Sequence, residues 1–236
     1  MPLVVASNRD ERLSRPAEPP SVRTVLDGAV RVLSPRDVEA GGTWLGLNAH
    51  GVFVGITNRY DPAQQDAQLP GSRGQVVLDA LAGRSAREAA DRAAKTDPAH
   101  QGPFHLVMAD RSGAFIVWSD TERLHHDVLA PGIVVVTERS FDAAPTGREP
   151  LLATSLADVT EGPRPSLATW RRWLSQHDDA PLEGTCVHAE SLAYGTRSGC
   201  VVTVDNEGRA TMAYADGPPC TTPYVEQDDL VAALMA

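Results

Sequence analysis

Residues 43–58 read Thr-Trp-Leu-Gly-Leu-Asn-Ala-His-Gly-Val-Phe-Val-Gly-Ile-Thr-Asn. Two apolar runs, Trp44–Leu47 and Val52–Thr57, flank the turn-forming tetrad Asn48-Ala49-His50-Gly51. Short runs of that composition, separated by so few residues, predict an antiparallel hairpin and leave no room for a crossover helix. The hairpin ends on the polar pair Asn58-Arg59. Ahead of it stands Ala40-Gly41-Gly42, where adjacent glycines let the backbone turn sharply or approach something closely.

The same punctuation recurs on both sides. Val22–Leu26 and Val30–Leu33 flank Asp27-Gly28, and Phe104–Ala109 and Ala114–Trp118 flank Asp110-Arg111-Ser112-Gly113. Leu124–Leu129 and Ile133–Thr137 flank Ala130-Pro131-Gly132. Cys186–His188, Gly199–Val204 and Ala210–Tyr214 read as late strands. At the start, Pro2–Ala6 is a short apolar run that predicts a buried strand, with Asn8-Arg9-Asp10-Glu11 opening from its end into a loop. Leu13–Pro20 holds three prolines and predicts an extended loop. Ser140–Pro150 reads as a loop, and Leu151–Val159 has no clear period.

Helical spacing is confined to Ser72–Leu81, Ser85–Lys95, Ser166–Gln176 and a short segment from Gln227. Ser72 stands where a cap belongs. Trp170 and Trp173 share the apolar side of the third helix, as core residues do. Many hairpins with few helices predict an α+β fold in which mostly antiparallel sheets pack between helices, not a βαβ array. Neither GxGxxG nor GK[ST] occurs.

The chain has 236 residues, consistent with a single domain over 1–236 whose last part, 217–236, is a proline-rich tail. With 21 basic and 31 acidic residues the net charge is −10, which argues against a nucleic-acid partner or an anionic membrane surface. Three cysteines, none in a CxxC pair, fit a reducing cytoplasmic setting better than a disulfide framework. No run reaches the length of a membrane span, and no secretory segment opens the chain. No metal site is expected: His125 and His126, being adjacent on a strand, point to opposite faces. Cys186 and His188 share a face, as a half-buried strand or as a pair meeting a soft ligand such as haem iron.

Five groups taken in order carry a resemblance: Asn8-Arg9-Asp10-Glu11, Gly41-Gly42-Thr43-Trp44-Leu45-Gly46, Thr57-Asn58, Ser72-Arg73-Gly74 and Gly195-Thr196-Arg197-Ser198. Together they resemble the NRDE family, also called the transport and Golgi organisation protein 2 family, from about Pro2 to about Pro223. The resemblance implies an N-terminal-nucleophile (Ntn) hydrolase-like αββα sandwich, two mostly antiparallel sheets between helix layers. Asn48–Asn58 also looks like the hairpin of choloylglycine hydrolases and penicillin V acylases.

By that likeness Asn58 would hold an oxyanion, Asp10 would face the α-amino group of the nucleophile, and Arg197 would steady the nucleophile or a substrate carboxylate. Asn8, Arg9, Gly42, Thr43, Trp44 and Arg73 would line the substrate site. Two departures stand out. Family members usually begin Met-Cys about ten residues upstream, by ordinary strand lengths, and by that likeness Pro2 matches the interior of the second family strand. Where relatives carry Ser-Asn, this chain has Thr137-Glu138, and Glu is a poor oxyanion donor. The absent first strand predicts an open sheet edge beside Leu3–Ala6, hence a homodimer or a covering loop.

Two functions follow from the resemblance. One is hydrolysis of a small-molecule amide or similar C–N bond, needing no cofactor but requiring an upstream cysteine. The other is a carrier or chaperone for haem, acyl-CoA or lipid, with Arg9, Arg73 and Arg197 meeting propionates or phosphates.

Overall fold

The computed structural model describes residues 3–26, 28–60, 71–120, 122–139, 141, 149, 152, 156, 159 and 165–236. Pro2, Asp27 and nearly all of 140–164, including the ambiguous 151–159 stretch, lie outside the described residues. Two compact units result: residues 1–15 with 146–231, and residues 16–145 with 232–236.

The larger unit is built on a seven-stranded antiparallel meander. In order these are β2 (Ala17–Val25), β3 (Val30–Asp37), β4 (Leu45–Asn48), β5 (Phe53–Asn58), β6 (Phe104–Asp110), β7 (Gly113–Ser119) and β8 (Leu124–Leu129). Each strand pairs with its sequence neighbour, as the hairpin spacing predicts; β4 meets β5 with Leu45 opposite Gly55 and Leu47 opposite Phe53. Two helices, α1 (Arg73–Ala80) and α2 (Ala86–Ala93), cover this sheet. Val76, Val77, Leu81, Ala86, Ala89, Ala90 and Ala93 pack with Val54, Phe104, Leu106, Met108 and Val117 in a core closed to water. Alanine on α2 lets that helix lie close to the strands.

Polar groups fix the joints of this unit. Asn48 is buried and fully engaged: its Nδ2 donates to the carbonyls of Leu81 and Gly83 (both 2.7 Å), and its Oδ1 accepts from His50 and Val52 N–H. It thus closes the turn of the β4–β5 hairpin and takes up the carbonyls left over at the end of α1. Asp110 accepts from Ala86 N–H at the start of α2 (2.7 Å) and from Ser112 and Gly113 in its own turn. Burial pushes the Asp110 carboxyl up, but those donors outweigh it and hold it below the ordinary carboxylate range. Ser85 caps α2 through Glu88 N–H, whereas Ser72 stands at the cap position of α1 without a side-chain cap bond.

The smaller unit carries a five-stranded antiparallel sheet, β1 (Leu3–Arg12), β10 (Tyr194–Val204), β11 (Ala210–Ala215) and β12 (Val225–Glu226), with β9 (His188–Ala189) also pairing β10. Helix α3 (Leu167–Leu174) is capped by Ser166, and Trp170 and Trp173 meet edge to face at 5.0 Å, half-buried. Helix α4 (Asp228–Met235) follows β12. Among the described residues β1 is an edge, paired to β10 alone. The fold class is therefore α+β with two antiparallel sheets, as expected, and no described helix is long and apolar enough to cross a membrane.

Three expectations need correction. Asn8–Glu11 do not open into a loop: β1 continues through them to Arg12, because β10 pairs across the whole length. The proline-rich stretch is not all loop, since β2 begins at Ala17. Pro19 and Pro20 fall where the register with β3 slips between Glu18 and Ser21, on what is among the described residues an edge strand, whose outer N–H positions need no partner. Residues 133–137, expected as a strand, make no ladder. Ile133 and Val134 are exposed, so no apolar surface rewards extending the sheet past β8.

Candidate functional site

In the smaller unit the site residues gather on a β-bulge. Arg9 pairs with Ser198 and Asp10 with Thr196, so Arg197 is the extra residue between them. Such an insertion bends the strand and re-aims side chains. Asp10 is held by Thr196, whose hydroxyl donates to Asp10 Oδ1 at 2.5 Å and accepts from Val187 N–H at 2.8 Å. Thr196 is 2% exposed, so the hydroxyl works shielded from water. The half-buried Arg197 has its Nε sealed from solvent with no hydrogen-bond partner among the described residues.

Asn8 and Arg9 flank this point. Asn8 Nδ2 donates to the carbonyls of Leu174 and Thr185 (2.8 and 2.7 Å), tying β1 to the end of α3. Asn8 is therefore a structural clasp through its amide nitrogen, while its Oδ1 is buried without a partner among the described residues. Arg9 is nearly buried and lies 3.8 Å from Glu11, which also meets Arg12 and Arg15 at 3.7 and 3.6 Å. Gly199 lies opposite Asn8, and a Cβ there would come within 2.9 Å of the Tyr224 ring, so glycine admits that tyrosine. Burial raises the Tyr224 phenol, and its hydroxyl too is sealed, with no partner among the described residues.

The thiols of this unit are poor nucleophiles as placed. Cys200 is buried and its thiol is pushed up to about 12 by burial. Cys186 is pushed up to about 12 as well, mainly by burial, with the neighbouring Cys220 adding to it.

In the larger unit a second group gathers at one end of the β4–β5 hairpin. A Cβ on Gly42 would stand 2.6 Å from the Gly74 carbonyl carbon, and Thr43 N–H donates to Gly74 O at 3.4 Å. The two glycine motifs meet backbone to backbone, seating the first turn of α1 on the loop before β4. Thr43 is buried with its hydroxyl on Leu45 O, and Trp44 O accepts from Ile56 N–H. Arg59 N–H and Arg73 Nη1 both reach the carbonyl of Pro103, at 3.0 and 3.3 Å. Arg73, expected beside an anion, is thus turned onto the 102–103 backbone. Asn58 ends β5, as predicted, with an exposed side chain. Thr137 Oγ1 accepts from Arg139 N–H, Glu138 lies 3.7 Å from the Arg139 guanidinium, and Glu138 O accepts from Tyr60 N–H.

The structure therefore brings Asn8, Arg9, Asp10 and Arg197 together in one unit, and Gly42, Thr43, Trp44, Asn58 and Arg73 together in the other. Sequence reasoning quoted Thr196 inside its motif without giving it a role. Asn48 and Tyr224 drew no functional reading; only their partners, distant in sequence, reveal them.

The family model described as Transport and Golgi organisation 2 matches residues 1–215. The Transport and Golgi organization protein 2 homolog of Bos taurus is 24% identical over 89% of this chain and 84% of its own length, and that of Homo sapiens is 26% identical with the same coverage. A solved structure, the Caenorhabditis elegans ortholog of N-acylethanolamine-hydrolyzing acid amidase, superposes with a TM-score of 0.53 at 14% identity, covering 85% of this chain and 92% of that one. A mutant of the conjugated bile acid hydrolase from Clostridium perfringens gives 0.50 at 11% identity, covering 97% and 85%. These likenesses show an Ntn-hydrolase-like fold.

Proposed function

We propose, for a chain that belongs to the Transport and Golgi organisation 2 family, a small-molecule site at the β1–β10 bulge that serves hydrolysis of an amide or similar C–N bond. The observation that carries this reading is Arg197, whose buried Nε lacks a partner among the described residues and which follows in β10 the threonine that holds the Asp10 carboxylate in place. A sealed cationic donor without an acceptor costs stability unless a ligand oxygen completes it. Of the solved structures of like fold, one is named an acid amidase and the other a conjugated bile acid hydrolase, which favours hydrolytic chemistry.

In such a reaction a thiolate attacks the amide carbonyl and a C–S bond forms. The C–N bond breaks as the amine leaves with a proton, and water then releases the acid from the thioester. Asp10 suits the orienting of a nucleophile's α-amino group and Arg197 the substrate's oxygen. With their raised values Cys186 and Cys200 do not serve as that nucleophile. A second reading draws on this same fact: binding without turnover, with Arg197 meeting a haem propionate or an acyl-CoA phosphate.

The test compares the chain as it stands with one carrying a Met-Cys-initiated strand ahead of Leu3. Both are assayed on a panel of N-acyl amides and titrated with haem and palmitoyl-CoA. Turnover by the longer form, lost when only its cysteine becomes alanine, is the expected result. Tight haem or acyl-CoA binding by both forms without turnover establishes the carrier reading instead.

A further inference from the structure

Away from the bulge, three segments of the smaller unit deliver four metal-binding side chains to one place. His177 lies in the loop after α3, Cys186 and His188 lead into β9, and Cys220 sits in the turn of residues 218–222. One ligating atom from each lies within 4.8 Å of all the others. His188 Nε2 is 3.5 Å from Cys186 Sγ and 3.2 Å from Cys220 Sγ, and the His177 and His188 rings meet edge to face at 4.9 Å.

We infer that His177, Cys186, His188 and Cys220 form a binding site for a single divalent metal ion, with zinc the best match. A tetrahedral zinc, at about 2.3 Å from sulfur and about 2.0 Å from nitrogen, sets its ligand atoms roughly 3.3–3.8 Å apart. Of the two sulfur–nitrogen distances, 3.5 Å stands within that range and 3.2 Å just below it, and the widest pair needs to close by only about 1 Å. Two thiolates and two imidazoles in tetrahedral array select zinc over the hard oxygen-loving cations. Four ligands this close fill the sphere of one ion. They leave no plane for a porphyrin, whose iron offers only two axial positions.

The scaffold is fixed before any ion arrives. Cys186 N–H donates to Gln176 O at 2.9 Å, holding the His177 loop against the strand that carries Cys186. Gly184 makes the approach possible, because a Cβ there would stand 2.9–3.0 Å from Gln176 O, Asp178 N and His177 Cα. On the third segment Thr221 and Thr222 N–H both bond to Pro218 O, which sets the turn that presents Cys220. Binding replaces two thiol protons by the metal and releases them to solvent. With four protein ligands the site is closed, so its role is structural: it fastens the 217–224 tail to the sheet edge at β9.

The test uses the full chain, reduced and stripped of metal. Cobalt(II) is added as a spectroscopic stand-in and then displaced by zinc. The expected result is one ion per chain, with the visible bands of tetrahedral cobalt and a near-ultraviolet sulfur-to-cobalt transition. Both vanish on zinc addition. Zinc also slows amide exchange across 218–222. Cys220→Ser removes part of the sulfur transition and weakens binding at least tenfold. His177→Gln, at an exposed position, weakens it with the fold intact, while His126→Gln elsewhere changes nothing. A folded, reduced chain that gives no tetrahedral spectrum overturns the site. So does binding that His177→Gln and Cys220→Ser both leave unchanged, or a Cys186–Cys220 disulfide that persists in the chain purified under reducing conditions.

Discussion

The Gly42–Gly74 joint and the Asp10–Arg197 bulge carry motifs of the same family, yet they do opposite things with their atoms. At the joint two backbones touch, Thr43 is bonded on both its amide and its hydroxyl, and Arg73 is turned onto Pro103 O. At the bulge an extra residue breaks the ladder, and sealed polar atoms of Asn8, Arg197 and Tyr224 have no partner among the described residues. Satisfied contacts in a packed region contribute to stability. Unsatisfied ones in a buried region cost stability and are retained where a ligand completes them. A shared motif therefore marks shared importance, and only geometry separates a fastening from a site.

That contrast can be broken by experiment. The largest loss is expected on the fastening side, from Asn48→Ala, which strands two carbonyls and two N–H groups at once. We expect a loss of about 3 kcal/mol or more in urea unfolding. A loss under 1 kcal/mol would show that the hairpin turn does not depend on its clasp. Gly42→Ala comes next: the new methyl meets backbone, which cannot swing aside, and overpacking of this kind costs about 1–3 kcal/mol.

On the bulge side, Thr196→Val keeps the shape but strips the hydroxyl from Asp10 and from Val187 N–H. Its stability cost is about 1–2 kcal/mol. Turnover or binding should fall further than the melting temperature shift explains, and an unchanged activity would remove Thr196 from the site. The smallest effect concerns acid. Asp110 has a lowered folded value, so its stabilisation is complete above the unfolded carboxyl value of about 3.9 and is lost as pH falls through the folded one. Asp110→Asn should flatten the urea midpoint against pH in that window. A wild-type slope retained in the variant would assign acid sensitivity to other carboxyls.

The hairpin order, all three main helices and the α+β class were legible because each rests on local periodicity and turn chemistry. Asn58 could be placed at its strand end for the same reason. The length of β1 was not legible, since Asn8–Glu11 look like loop until β10 is known to pair with every one of them. Nor was the strand under Pro19 and Pro20, because the register slip that tolerates them depends on β3. Arg73 fits an anion site equally well on paper, and only its contact with Pro103 shows where its charge goes. The Cys–His cluster escaped because Cys220 lies 32 residues beyond His188 in the chain, a spacing no metal-binding pattern flags.

The central claim is that ligand recognition belongs to the bulge and not to the joint. It is tested most directly by titrating palmitoyl-CoA, haem and the preferred N-acyl amide against Arg197→Met and Arg73→Met in parallel. Arg197→Met should weaken binding at least tenfold, about 1.4 kcal/mol, while unfolding no earlier than wild type, because it removes a buried donor that lacks a partner. Arg73→Met should leave affinity within about threefold of wild type, a difference under 1 kcal/mol. Loss of binding in Arg73→Met with affinity intact in Arg197→Met would contradict the assignment.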